Sequence, residues 1–186
     1  MLIQVTKIKS ERNPTINYNK LLETLSLVTN SVIEDGSGIG WTKRFDDPIQ
    51  ELMPYWETQA NDPNVDLIVA YLMENGIPHA LGSIQLHTHR GNPRSMAIRH
   101  RGELACFFCH PSYRGKGVGY QLICAAEQAA RDYGLRKITL DCRSTQIDAI
   151  KLYERCGYTR WGTMNNYASL DGIEFYDGYF YGKDLN

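Results

Sequence analysis

The segment HPSYRGKGVG, residues 110–119, sets glycines at 115, 117 and 119 beside Arg114 and Lys116, directly ahead of a run with helical spacing. Glycine backbone leaves its amide N–H groups unobstructed, and a helix start adds the positive end of its dipole. Together they suit an anion, phosphate above all. The pattern is neither the GxxxxGK[ST] of a P-loop nor the GxGxxG of a dinucleotide site. Other reactive sets offer less. Cys106 and Cys109 form a CxxC, but ELACFFC around them reads as a strand, on which residues three apart face opposite ways and cannot share a metal. His87 and His89 lack a Cys or carboxylate cluster to complete a site, and are expected as exposed histidines on one strand face. No metal is expected.

A glycine loop of this kind works only between a strand that ends at it and a helix that starts after it. ELACFFC supplies the strand. VGYQLICAAEQAARDYG supplies the helix, with Val118, Leu122, Ala125 and Ala129 on one face and Gly134 as its C-cap. RKITLDC then reads as a strand and QIDAIKLYERCG as a short helix, with Ala149, Leu152, Tyr153 and Cys156 on one stripe and Gly157 as the stop. Strand, helix and strand imply a parallel crossover.

Upstream, LIQVTKI reads as an edge strand and residues 16–36 as a helix with Leu21, Leu25, Val28 and Val32 inward. A second helix opens with Asp47 as N-cap and Pro48 at its first position, with a kink expected at Pro54. LIVAYLM, residues 67–73, is too short for a membrane span and reads as a buried strand, turning at Asn75-Gly76 into an antiparallel partner. Residues 90–102 read as polar and turn-rich, and YTRWGTM and EFYDGYFYGKDL as closing strands.

The 186 residues carry a formal net charge of −1, which offers no basic face for nucleic acid or for an anionic membrane. Lys7, Lys9, Glu11 and Arg12 interrupt the apolar residues of the N-terminal segment, so no secretory signal is read there. Five cysteines in apolar settings are then expected as reduced, buried thiols in a cytoplasmic protein, with a nuclear one left open. No composition break or repeat divides the chain. A single domain over 1–186 is expected, as monomer or homodimer, built on a mixed α/β sheet.

Arg114, Gly117 and Gly119 match the [RQ]-x-x-G-x-[GA] loop of the GCN5-related N-acetyltransferases (GNAT), and AIKLYERCGY, residues 149–158, matches a second motif of that family, A-x-x-L-Y-x-x-x-G-[FY], at the family's distance downstream. The chain resembles this family most closely from about 103 to 158. The resemblance implies a mostly antiparallel sheet with one splayed pair of parallel strands and helices on both faces, and acetyl-coenzyme A (acetyl-CoA) as co-substrate. It implies a pantetheine arm along the backbone of Phe107, Phe108 and Cys109, and a pyrophosphate cradle at Arg114, Gly115, Lys116, Gly117, Val118 and Gly119. Gln146 stands where many members carry Asn, which puts its coenzyme contact in question. Tyr153 corresponds to a tyrosine that serves as general acid near the thioester sulfur, on a stripe where it could equally serve as packing.

Acetyl transfer needs a neutral amine, because an ammonium has no lone pair. At pH 7, holding a lysine-like amine neutral costs about 4 to 5 kcal/mol and an α-amine about 1 to 2. Glu103 and Asp141, each near a strand end, are the candidate bases, with solvated or ion-paired surface carboxylates as the other reading. Strand alternation puts Glu103 on the face of Phe107 and Cys109, and Asp141 on the face of Thr139. GSGIGW, LDC and Y-x-x-x-DG further resemble the tabtoxin-resistance type of acetyltransferase, which implies a small amino-acid-like acceptor. A protein or peptide acceptor, and a coenzyme-binding module without chemistry, are the alternatives.

Overall fold

The computed structural model describes residues 2–8, 16–37, 39–89 and 93–185, with the backbone alone for 93–95. Seven strands form one sheet: β1 (Gln4–Ile8), β2 (Val65–Glu74), β3 (Ile77–Thr88), β4 (Arg101–Cys109), β5 (Lys137–Arg143), β6 (Thr159–Ser169) and β7 (Phe175–Asp184). Their spatial order is β1-β2-β3-β4-β5-β7-β6. β1 is the edge strand its sequence predicts. Only β4 and β5 are parallel.

β2 shows why the sheet is buried on both faces. Leu67, Val69 and Tyr71 join one hydrophobic core, while Ile68, Ala70 and Leu72 join the other. The first core is closed by α1 (Tyr18–Glu34) and α2 (Pro48–Asn61), the second by α3 (Val118–Asp132) and α4 (Ile147–Arg155). Asn17 caps α1 by accepting from the Lys20 amide, and Asp47 caps α2 by accepting from that of Gln50. α2 runs through Pro54, where the lost N–H leaves helix on both sides. No helix among the described residues is long and apolar enough to cross a membrane.

β4 and β5 pair over only four positions, from Arg101 with Lys137 to Leu104 with Leu140, and then diverge. The cause lies in β4. Two steps along β3, from Gln85 to Ser83, are matched by three along β4, from Ala105 to Phe108, and Cys106 takes the left-handed φ of 46°. This bulge bends β4 away from β5 and reverses the side-chain alternation beyond it. Leu104 and Cys109 pack on the α3 side with Phe107, whereas Phe108 packs on the α1 side. The expectation that Glu103 shares a face with Phe107 and Cys109 is therefore corrected. Glu103 pairs with His87 and lies opposite Leu104, on the α1 and α2 face.

Candidate active site

The gap between the diverging strands opens into a groove of about 960 Å³. α3 begins at one wall with Gly117 as its N-cap, at a left-handed φ of 85° and with no side chain capping the first turn. Those amides are left free to bind an anion. Gly119 serves close packing: a Cβ there would stand 2.8 Å from Leu152 Cδ2 and 3.1 Å from the Phe107 ring, so those side-chain ends would have to shift where α3 meets α4 and β4. Phe107, Phe108, Cys109, Arg114, Gly115, Gly117, Val118, Gly119 and Gln146 all line the groove. Lys116 is not among the lining residues, and its ammonium stands 4.9 Å from the centre of the Tyr113 ring.

Burial pushes the Cys109 thiol up to about 12, partly opposed by Arg114. It is a packing group and no nucleophile at neutral pH. Arg114 is held by the end of α1, with Nη2 2.7 Å from Asp35 Oδ2 and 2.9 Å from Ser37 Oγ. The Ser37 hydroxyl, then Arg114, hold the Asp35 carboxyl below its usual range. The same turn reaches the opposite wall. Gln146 Nε2 donates to Ser37 O at 2.8 Å, and Arg143 Nη2 to Gly36 O at 3.5 Å. Gln146 thus spends an amide N–H on a strap of backbone that crosses the groove.

A second cavity of about 380 Å³ adjoins the first and brings together Glu103, Asp141 and Tyr153. The faces of the two candidate bases converge because Glu103 pairs with Thr139, two residues before Asp141 on the same side of β5. Tyr153 lines both cavities. Its ring packs in the core against Phe107, Tyr158 and Tyr181 and is 5 % exposed, so the packing reading and the reading that places it at the site both describe its position. Burial, with the nearby Cys142, Asp141 and Cys109, raises its pKa and keeps the phenol protonated.

Several lining residues escape the sequence reading. Tyr167 donates its hydroxyl to Asp141 Oδ2. Between Met164 and Ala168, four steps of β6 face two of β7, with Asn166 at φ 54°, and this irregularity throws the Tyr167 ring across Gly178. A Cβ on Gly178 would come within 2.3 Å of that ring. Burial, then the Asp141 carboxylate, raises the Tyr167 pKa. Cys106, on the cavity wall, lies 3.3 Å from Tyr55 Oη, which accepts from Gln85 Nε2 at 3.3 Å, and Gln85 Oε1 lies 2.8 Å from His87 Nε2. His87 is accordingly half-buried instead of exposed, its pKa lowered by burial. Trp41, edge-on to Tyr55 at 5.0 Å, adds an aromatic wall.

The three short stretches that suggest a small acceptor meet here. GSGIGW contributes Ile39 to Trp41, its Gly38 lying outside the described residues; LDC contributes Asp141 and Cys142; and the hairpin of Tyr167 to Gly172 contributes Tyr167 to Leu170.

The acetyltransferase (GNAT) family model matches residues 36–158. An uncharacterized N-acetyltransferase from the hisH-hisA intergenic region of Azospirillum brasilense is 31% identical over 176 residues, covering 89% of this chain and 99% of that protein. The uncharacterized N-acetyltransferase YycN of Bacillus subtilis (strain 168) is 33% identical over 78 residues, 42% of this chain, and the match spans about half, 47%, of YycN. Among solved structures, the GNAT superfamily phosphinothricin acetyltransferase (Pat) from Sinorhizobium meliloti, in complex with acetyl-CoA, superposes with a TM-score of 0.73 at 17% identity over 100% of this chain and 90% of that one.

Proposed function

This chain belongs to the acetyltransferase (GNAT) family and is an acetyl-CoA-dependent N-acetyltransferase, and from that premise we propose that it acetylates the primary amine of a small molecule by direct attack in a ternary complex, as a single domain over 1–186. The observation that carries this reading is the meeting of two cavities at Tyr153. One, at about 960 Å³, includes an uncapped helix start; the other, at about 380 Å³, has room for a compact molecule and holds two carboxylates.

The larger groove fits acetyl-CoA, because the left-handed, uncapped Gly117 and the Cβ-free Gly119 leave the amides at the start of α3 open to an anion. In this reading the amides of 115–119 and Arg114 take the pyrophosphate, and the backbone of Phe107, Phe108 and Cys109, unpaired toward β5 by the bulge, takes the pantetheine amides. Bound acetyl-CoA supplies the thioester carbonyl. Glu103, open to solvent, removes the proton of the acceptor ammonium and passes it to water, while Asp141, braced by Tyr167, holds the ammonium in place. Tyr153 keeps its proton throughout the neutral range and presents it to the departing thiolate, whose conjugate acid has a pKa of about 8.5. A second proton from the attacking nitrogen restores the phenol. The name of the Sinorhizobium meliloti neighbour, which acts on phosphinothricin, supports a small acceptor.

Titration calorimetry with acetyl-CoA, followed by a thiol-release screen of small amines against peptides with free N-termini, tests the proposal. Turnover of small amines supports it. Turnover confined to peptides overturns it.

A further inference from the structure

Arg143 ends β5 and is only 8 % exposed, yet among the described residues no carboxylate lies within ion-pair distance of it. Its contacts are the long bond from Nη2 to Gly36 O and the face of the Tyr176 ring, 5.8 Å from the guanidinium carbon. A guanidinium has five donors, and a buried cation without an anion is costly to keep. An arginine in this state is built to receive an anion.

Its position selects which one. Arg143 lines both cavities, as do Ile39, Phe107, Gln146, Tyr153 and Leu170, so it stands at their junction. Arg114, Gly115, Gly117, Val118 and Gly119 line only the larger groove. The anionic groups of a coenzyme A thioester lie at the far end of the pantetheine arm from the acyl group, toward that loop. On the other side, Asp141 lies two residues before Arg143 on the same strand face, and Glu103 joins it across the ladder. One small cavity thus offers two carboxylates and one unpaired guanidinium.

We propose that Arg143 is the receptor for an anionic group of the acceptor, so that the substrate is a zwitterion with its ammonium toward Glu103 and Asp141 and a carboxylate, or an oxyanion of like geometry, on Arg143. The inference rests on the small-molecule reading above and sharpens it: amines that carry no anionic group, amino-acid amides among them, are poor acceptors. The planar fork of arginine matches a carboxylate in two parallel hydrogen bonds, which a lysine cannot copy.

The test is thiol release by the intact enzyme with α-amino acids of graded side-chain size, each compared with its α-amide and its decarboxylated amine, in wild type, Arg143→Gln and Arg143→Lys. Acetyl-CoA affinity is measured calorimetrically in all three. Wild type is expected to favour the acid at least tenfold in kcat/KM. Arg143→Gln erases that preference through KM with acetyl-CoA Kd within twofold, and Arg143→Lys keeps part of it. If acids, amides and amines turn over alike, this inference falls and the small-molecule reading stands. Loss of acetyl-CoA binding in folded Arg143→Gln assigns the residue to the coenzyme and also overturns it. No turnover of any small amine sinks the reading itself, and this inference with it. The wild-type comparison of acid with amide decides the matter even if a variant fails to fold.

Discussion

Tyr153 and Arg114 each combine a structural contact with a proposed role, and substitutions at each test that role. Tyr153→Phe keeps the ring against Phe107, Tyr158 and Tyr181 and removes only the hydroxyl. We expect kcat to fall about 100-fold or more with acetyl-CoA Kd unchanged, as steady-state kinetics and calorimetry would read; an unaltered kcat returns Tyr153 to packing alone. Arg114→Gln loses a charge-assisted contact of about 1.5 kcal/mol, so acetyl-CoA Kd should rise about tenfold, and the slope of affinity against salt should flatten. Asp35, which holds Arg114, has a depressed pKa. Its contribution is therefore complete above the unfolded value of about 3.9 and is lost only as pH falls through the lower folded value. Between pH 6 and 9 the Arg114 tether is constant, and kcat/KM should rise with pH as the acceptor ammonium deprotonates.

At the scale of elements, two irregular strands shape the smaller cavity, which we propose takes the acceptor. The β4 bulge sends Glu103 and Phe107 to different faces, and the β6 irregularity lays Tyr167 over Gly178. Gly178→Ala should displace that ring and raise acceptor KM several-fold while acetyl-CoA Kd holds. Tyr167→Phe should reproduce part of the effect, and a thermal melt will show whether the Gly178 variant is otherwise intact. These two features mark where the sequence stops being legible. The strands, helices, caps and glycine loop follow from local spacing, as Asp47, Gly117 and the alternation of β2 show. A bulge leaves no local signature: Cys106 is an ordinary strand residue by type, and only the mismatch of β3 and β4 gives it a positive φ. Tyr167 and Arg143 were missed because their partners, Asp141 and the strap at Gly36, lie 26 and 107 residues away in sequence. Asp141 and Glu103 were legible as carboxylates near strand ends, and their convergence was not.

For the whole molecule, one sheet carries a core on either face, and the groove opens where β4 and β5 part. α3 and α4 meet β4 at Gly119, whose neighbours are Leu152, Phe107 and Cys109. Acetyl-CoA at 100 times its Kd should stabilise the fold by about 2.7 kcal/mol, a rise in Tm of about 5 to 10 °C. Gly119→Ala should abolish most of that rise. A full rise in the folded variant would move the coenzyme away from this cradle.

The short ladder between β4 and β5 also has a consequence for the free protein. Past Leu104 and Leu140 each strand presents an edge to the other inside what is otherwise a continuous sheet, and an edge is a row of amides waiting for a partner. Hydrogen–deuterium exchange should find the amides of 105–109 that point into the gap among the fastest in β4, while those bonded to β3 stay slow. Acetyl-CoA should bring the fast set down to the rate of their neighbours, as though a further strand had been laid into the sheet.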